Sequence, residues 1–532
     1  MHREHVPVLV SGGGPVGLAL AIELGQHGIR CLVVEPRPQP TRLRPRAKTL
    51  NTRTLEHFRR WGIADRIRAA APLPTSWSQD VSFCTTLLGT EITRLTGVLG
   101  LVDEGVSPEL GQQIPQYVTE EVLREVAAGT PGIDLRIGSR VIGLRSGEDA
   151  VTVSVVDADG REREVVADYV VGADGARSVV RESIGAAYVG EQALRPNTGV
   201  VFRCEGLDAR VPHAPAVQTW VINDDTPGML GPIDRHGLWW LIAFGVDGTA
   251  PDLDPRRLVT GAVGEDLPVE IVSTDPWVAR MELVDRCRAG RVFLIGDAAH
   301  LNPPFGGHGL NTGVGDAVDL GWKLAATIDG WAGPGILDSH ELERAPLQRR
   351  VIDEAVANMS TLSPELLGED LSAAGPRGDE ARALAAQRIQ ATKTREFHSL
   401  DLVLGHRYES SPILPPVAAE AGPWQTVATP GTRLPHLWLE PDRSTLDLVR
   451  SSHVLLASPG TETAALTSAA KEQSMPLQVH RLSTEAMAGL GADWVVIRPD
   501  QVVAAAGTGT PSGADLVDTL TGHAARVAVP RT

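Results

Sequence analysis

The chain opens on two hydrophobic patterns. Val6 to Val10 is a short continuous apolar run, the mark of a strand covered on both faces. From Val16 to His27 the spacing changes to helical, with Val16, Leu20 and Leu24 on one face, and Gly28 stops it. Cys31 to Val34 is a second buried strand. Strand, helix and strand in this order predict the βαβ start of a doubly wound, Rossmann-like fold. Alternation takes over from about Ile137 to Val171, as in Val151-Thr-Val-Ser-Val-Val. The stretch from roughly Gly185 to Arg280 is strand-rich and carries Trp220, Trp239 and Trp240. A buried strand returns at Arg291-Val-Phe-Leu-Ile-Gly296, before a glycine-rich turn and a helix from about Gly313 to Ile328. A helical stretch from about Asp338 to Leu402 leads to a linker marked by Pro412, Pro415 and Pro416. Short strands at Ser452 to Leu456, Leu477 to Leu482 and Asp493 to Ile497 then alternate with helices.

This pattern predicts an α/β chain with one discontinuous nucleotide-binding domain, residues 1–75, 111–184 and 281–350. A β-rich substrate domain is inserted as 76–110 and 185–280, a helical connection spans 351–415, and 431–532 forms a separate small α/β domain. The length, 532 residues, exceeds what one hydrophobic core serves and agrees with several domains. An apolar fraction of 42% suits a globular chain. The formal charge of −17 makes nucleic acid and anionic membrane poor partners. No segment reaches the roughly 20 apolar residues of a membrane helix. Cys31, Cys84, Cys204 and Cys287 lie far apart, with no CxxC and no His at metal-ligand spacing. Reduced thiols, no metal and a cytoplasmic protein are the expectation.

Two motifs carry chemistry. Gly12-Gly13-Gly14-Pro15-Val16-Gly17 contains GxGxxG at Gly12, Gly14 and Gly17. The first glycine permits a tight turn, the second lets the backbone approach a pyrophosphate, and the third lets helix pack on strand. Glu35, 18 residues past Gly17 at the end of the second strand, is placed to accept hydrogen bonds from ribose hydroxyls. Together they predict dinucleotide binding, without choosing between FAD and NAD. The second motif is the strand ending at Gly296-Asp297, followed by Pro303-Pro304-Phe305-Gly306-Gly307-His308-Gly309-Leu310-Asn311. A strand-end carboxylate can accept a ribityl hydroxyl. Amides from Gly307 to Asn311 at a helix start can stabilise negative charge on a ring system. Asp297 as a cap in an ordinary strand–loop–helix connection stays open, and His308 reads either as loop filler or as proton relay. Arg37, Arg42 and Arg44 read either as phosphate ligands or as solvated loop arginines.

The combination resembles the single-component flavin-dependent aromatic hydroxylases, the family of para-hydroxybenzoate and phenol hydroxylases and of bacterial polyketide-tailoring hydroxylases. Its glycine motif matches Gly12 to Gly17. Its middle motif, which touches FAD and the nicotinamide cofactor, matches Val171-Gly-Ala-Asp174-Gly175-Ala-Arg177-Ser178-Val-Val-Arg181. Its third motif matches Gly296-Asp297 through Asn311. Arg46-Ala-Lys-Thr-Leu-Asn51 resembles an arginine segment beside the isoalloxazine, and Gln116 to Leu123 a segment whose glutamine contacts FAD. The resemblance implies FAD at Gly12, Gly14, Pro15, Val16, Gly17, Glu35, Arg46, Gln116, Asp174, Asp297, Pro304, Gly307, Gly309, Leu310 and Asn311. Arg46 and Pro304 would stand nearest the reaction. The part from about Gly431 resembles the thioredoxin-like tail of phenol hydroxylases, with Arg498-Pro499-Asp500 as its end motif. His340 and Ala345 stand where the family often has Tyr and Arg, and Ala504-Ala505 where an aromatic is common.

The resemblance further implies a monooxygenase that uses NADPH or NADH, molecular oxygen and an aromatic small molecule. A flavin 4a-hydroperoxide would be the oxygenating species, and natural-product tailoring the setting. Trp220, Trp239 and Trp240 are candidate substrate contacts, although alternation lets only one of the last two face a pocket. Baeyer–Villiger or hydroxypyridine oxygenation, and a non-oxygenating flavoprotein, stay open, as does monomer against homodimer.

Overall fold

The computed structural model describes residues 4–43, 45–360, 370–415 and 426–524. Arg44 and Pro416, singled out above, lie outside the described residues.

The apolar run at the start becomes the strand Glu4–Ser11, paired in parallel with Cys31–Glu35 on one side and Glu162–Gly172 on the other. Ile133–Ile137 extends the sheet in parallel beyond Cys31–Glu35, and Val292–Leu294 extends it beyond Glu162–Gly172. Parallel strands need crossovers that cover both faces, which is why the inner runs 8–10, 31–34 and Val292–Leu294 are wholly apolar and buried. One covering helix is Pro15–Gln26, and it packs against the long helix His308–Ile328. A Cβ at Gly313 would come within 2.6 Å of a Val16 methyl, and one at Gly321 within 2.5 Å of Glu23. Small residues thus set how closely these helices cross.

The second sheet also has eight strands, in the order His300–Leu301, Glu270–Val284, Tyr188–Arg203, Leu238–Phe244, Gly228–Pro232, Gln218–Val221, Val81–Cys84 and Glu91–Leu95. It is antiparallel except where Gln218–Val221 meets Val81–Cys84. Its two longest strands run back into the nucleotide-binding region, where Tyr188 pairs with Val284 and Leu283 with His300. The helices Gly335–Ser360, Pro376–Phe397 and Leu400–Leu404 follow.

The C-terminal domain has its own sheet, ordered Leu477–Arg481, His453–Ala457, Trp494–Ile497, Val503–Gly507. The first pair is parallel and the other two are antiparallel. Arg498 leaves this sheet and is buried between Glu343 (2.7 Å) and Asp319 (3.2 Å) of the first domain. Lys323 and His340 join the same cluster. Arg433 forms a second tie, to Glu56. All four cysteines are buried and unpaired. Among the described residues no helix is long and apolar enough to cross a membrane.

Candidate active site

The glycine turn is held by contacts that only glycine tolerates. Gly12 has φ +104°, and a Cβ there would meet the Ala173 carbonyl oxygen at 2.4 Å. A Cβ at Gly17 would lie 2.0 Å from the Gly12 oxygen. Gly14 differs, since its nearest neighbour is an Arg37 nitrogen at 3.9 Å, so the middle glycine faces open space. Gly14 and Pro15 begin the helix Pro15–Gln26 with no side-chain cap. Free amides and a positive helix end therefore face the opening. Val16 wedges between Gly313 and Gly296, fixing the turn to the strand end that carries Asp297.

Glu35 is buried and already accepts three hydrogen bonds: from Gly13 N (2.8 Å), Arg37 N (2.9 Å) and Arg37 Nε (2.9 Å). A carboxylate has about four acceptor sites, leaving roughly one for a ribose hydroxyl. Arg37 also reaches Glu120 at 3.5 Å, so it spans the rim of the glycine turn, whereas Arg42 is exposed and paired with Glu121.

Asp297 stands where the second glycine-rich turn begins. It is open to solvent yet ringed by protein, and burial pushes its carboxyl above the ordinary range, with His300 and Arg46 opposing. Asp316 holds this strand end in place, accepting from Gly296 N (3.2 Å), His300 (2.9 Å), Arg344 (2.8 Å) and Gln348 (3.0 Å). Four donors, led by Arg344 and His300, overcome the burial cost and keep Asp316 far below the ordinary carboxylate range. Nothing in its local sequence marks this role.

After Asp297 the chain passes exposed Pro304, whose carbonyl accepts from Gly307 N at 3.1 Å, and enters the helix His308–Ile328 through left-handed Gly306 and Gly307. No side chain caps this helix, so the amides of its first turn, including Gly309 and Leu310, lack intrahelical partners. Asn311 is different. Its side chain donates to Thr49 O (2.9 Å) and Gly307 O (2.7 Å) and accepts from Asn51 N (2.9 Å) and Thr54 Oγ1 (2.7 Å). It clamps the Arg46–Asn51 segment to the turn, and its amide group has nothing left for a ligand. Arg46 adopts φ +47°, unusual for a side-chain-bearing residue. Gln116 begins the helix Gln116–Gly129, its amide bonded to Pro45 O at 3.1 Å, which ties that helix to the same segment.

Asp174 follows the strand Glu162–Gly172. Its Oδ2 accepts weakly from Ser11 and from Val180 N, both at 3.3 Å, and its buried Oδ1 has no partner. Burial raises its pKa. Arg181 lies 4.1 Å over the ring of Tyr188, and the Tyr188 hydroxyl donates to the Asp297 carbonyl. Tyr188 thus joins the middle and third motifs, a link absent from any local spacing.

The tryptophans divide. Trp239 is withdrawn as a substrate contact: the pleat turns it to the far face, where it packs with Phe202, Leu258 and Val259. Trp220 lies on the turn side, 2% exposed and enclosed by Phe83, Phe244, Phe305 and Phe397, so it supports the Pro303–Gly307 turn through Phe305. Trp240 faces the turn side, and Lys48 Nζ lies 3.7 Å over its ring.

The arrangement fits FAD: an open, uncapped glycine cradle, a ribose-side carboxylate, a deep carboxylate short of partners, and a second uncapped helix end beside an aromatic sheet. Residues 5–355 match the family described as FAD binding domain, and 427–526 match the aromatic-ring hydroxylase C-terminal family. Aklavinone 12-hydroxylase of Streptomyces peucetius is 34% identical, covering 86% of this chain and 92% of its own. Tetracenomycin B2 monooxygenase-dioxygenase of Streptomyces olivaceus is 31% identical over 95% of both chains. A rebeccamycin biosynthetic enzyme solved with reduced flavin is 35% identical, with a TM-score of 0.92, covering 98% of this chain and 100% of that one. The ternary complex of aklavinone-11 hydroxylase with FAD and aklavinone gives 29% identity and a TM-score of 0.83, covering 98% and 100%. With its cradle, its strand-end carboxylates and these relatives, the chain belongs to the single-component FAD-dependent aromatic-ring hydroxylases.

Proposed function

We propose that this monooxygenase hydroxylates a polycyclic phenol in natural-product tailoring, consuming NADPH or NADH and molecular oxygen. The observation that carries the substrate class is the packing of Phe305, in the turn that follows Asp297, against the Trp220 and Trp240 face of an aromatic-rich sheet. Bound FAD supplies the two-electron reduction and the activation of oxygen. The protein's part is positional. Gly12, Gly14, Pro15, Val16 and Gly17 would receive the pyrophosphate, Glu35 with Arg37 the adenosine side, and Asp297 the ribityl chain. The free amides of Gly309 and Leu310, at the helix start that Gly307 turns the chain into, would stabilise negative charge on the ring system. Asp174 and Arg181 would serve the reduction step, Gln116 and Arg46 would border the cofactor, and the Pro304 carbonyl would face the reacting region. Asn311 enters as the clamp that holds Arg46 there.

The C-terminal domain is read as thioredoxin-like, supported by its strand order and mixed pairing. All four cysteines precede residue 288, so dithiol chemistry has no place in it. Relatives named for polyketide and aklavinone substrates support the tailoring reading.

The test uses isotopically labelled oxygen, NADPH and a panel of polycyclic phenols. One labelled atom on a ring carbon is the expected product, with NADPH oxidation at least ~10-fold faster when substrate is present. Oxygen drawn only from water would sink the reading, and label inserted into a carbon–carbon bond would move the chain to Baeyer–Villiger chemistry.

A further inference from the structure

The chain has four lysines, at positions 48, 323, 393 and 471. Lys471 is exposed. Lys323 is buried against Asp319 (2.8 Å) and Glu343 (2.7 Å), and Lys393 against Glu396 (2.8 Å) and the Asn358 carbonyl (2.8 Å). Lys48 is different. Its ammonium is ringed by protein, yet among the described residues no carboxylate lies within ion-pair distance. It touches the Trp240 ring at 3.7 Å and the Arg46 carbonyl at 3.5 Å. The cation–π contact recovers only part of what an ammonium loses on leaving water.

Its location gives this a meaning. Lys48 sits between Arg46, whose charge acts on Asp297, and Thr49, which packs 3.5 Å from the Cβ position of Gly307. Asn311 pins that segment to the flavin turn from the other side. The lysine therefore reaches from the flavin region to Trp240, which shares the turn-side face of the sheet with Trp220 and Phe305. The charged and titratable groups on the elements meeting there are Arg46 beside it, Asp297 and His300 at the strand end, and the buried pair Lys393 and Glu396, which packs against Phe305, Trp220 and Gly306. None of these ion-pairs with Nζ.

We propose that Lys48 is the substrate-recognising base: its Nζ binds an acidic ring hydroxyl of the polycyclic substrate and holds it as the phenolate. This rests on the aromatic-substrate reading above. Burial pushes the Lys48 amine down to about 8, so a fraction is neutral near physiological pH. The neutral amine takes the hydroxyl proton, the O–H bond breaks toward oxygen, and ammonium and phenolate remain in contact. Charge is conserved, and the ring gains the electron density that attack by an electrophilic oxygen requires. An arginine could pair with the anion but never accept its proton, which gives a reason for a lysine in a chain with so few.

The experiment uses the full FAD-loaded chain and two probes: 1,2-dihydroxyanthraquinone, whose visible absorption moves to longer wavelength on ionisation, and its 2-O-methyl ether. Binding is followed by difference spectroscopy at a pH below the free dye's ionisation midpoint, for wild type, K48Q and K48R, after flavin absorbance has shown equal FAD content. The expected result is phenolate-type absorption for the dye on wild type and the neutral spectrum with at least ~10-fold weaker binding on K48Q. The ether should bind both alike, and K48R, which pairs with the anion but takes no proton, should restore the anion's spectrum at equilibrium yet lose at least ~10-fold in NADPH-dependent product formation. A K48Q protein that keeps the phenolate spectrum and affinity overturns the assignment of Lys48 alone. A wild type that binds neither dye nor ether overturns the aromatic-substrate reading and the lysine proposal with it.

Discussion

Glu23 lies within the first helix, fully enclosed, where it accepts from Arg60 (2.5 Å), Trp61 Nε1 (2.6 Å) and His27 (3.2 Å). Burial works against its ionisation, but Arg60 and His27 outweigh it and bring the carboxyl from 4.5 down to about 2. A depressed carboxyl stabilises the fold fully above its unfolded value and loses that contribution as pH falls through the folded one. Thermal unfolding from pH 7 to pH 3 should therefore show stability falling below about pH 4.5. E23Q should be less stable at pH 7 by about 3 kcal/mol, because Arg60 stays buried without its anion, and its acid slope should be shallower. A variant as stable as wild type at pH 7 would contradict this. At this scale the sequence was readable where chemistry recurs at fixed spacing, as with Gly12 to Gly17 and the strand-end acids. Lys48, Tyr188 and Asp316 were not, because each takes its role from a partner far along the chain. Lys48 needs Trp240, Tyr188 needs Asp297, and Asp316 needs Arg344.

Among elements, the first strand, helix and strand followed their hydrophobic periods closely, Val6 to Val10 widening to Glu4–Ser11 and Val16 to His27 becoming Pro15–Gln26. The long helix was misjudged at its start. It begins at His308 and not near Gly313, because left-handed Gly306 and Gly307 turn the chain directly into it. Glycine-dense sequence reads as loop by propensity, yet here it is a helix terminus that no side chain caps. The same period-two logic that placed strand Leu238–Phe244 left the tryptophan question open, since only neighbouring strands decide which face is which. The clamp between elements gives the next prediction. N311A removes four hydrogen bonds and leaves Thr49 O and Asn51 N short of partners, a cost of about 1–3 kcal/mol. With the Arg46–Asn51 segment loosened, FAD affinity by fluorescence titration should fall at least ~10-fold. Unchanged affinity would reduce Asn311 to an ordinary helix residue.

On the scale of the whole molecule, the C-terminal domain is fastened to the first. Arg498 enters the Asp319–Lys323–Glu343 cluster, Arg53 donates to Asp500 O (2.6 Å) and Gln501 (2.8 Å), and Arg59 pairs with Asp447 (2.8 Å). Cleavage between Pro412 and Gly431 should therefore yield two fragments that co-elute in gel filtration and separate only in denaturant. R498M, which leaves Glu343 and Asp319 with Lys323 and His340 and no guanidinium, should cost about 3–5 kcal/mol and let the nicked pieces part at lower urea. Fragments of the unmodified chain that separate in plain buffer would refute the account. The Arg-Pro-Asp motif was visible in the sequence, but its partners Asp319 and Glu343 were not, since they belong to helices with no local mark of an interface.

The Arg498 cluster also bears on how the chain is made. The sheet that receives the cofactor is incomplete until Val292–Leu294 has left the ribosome, and its second turn until His308–Ile328 has followed. Even then Asp319 and Glu343 share a single ammonium, and their second cation lies on residue 498, in the C-terminal domain. Through most of translation the nascent first domain holds buried acids in excess of buried bases, a state that favours staying open. Emergence of the C-terminal domain removes that excess, so closure of the cofactor domain waits for a residue of its neighbour.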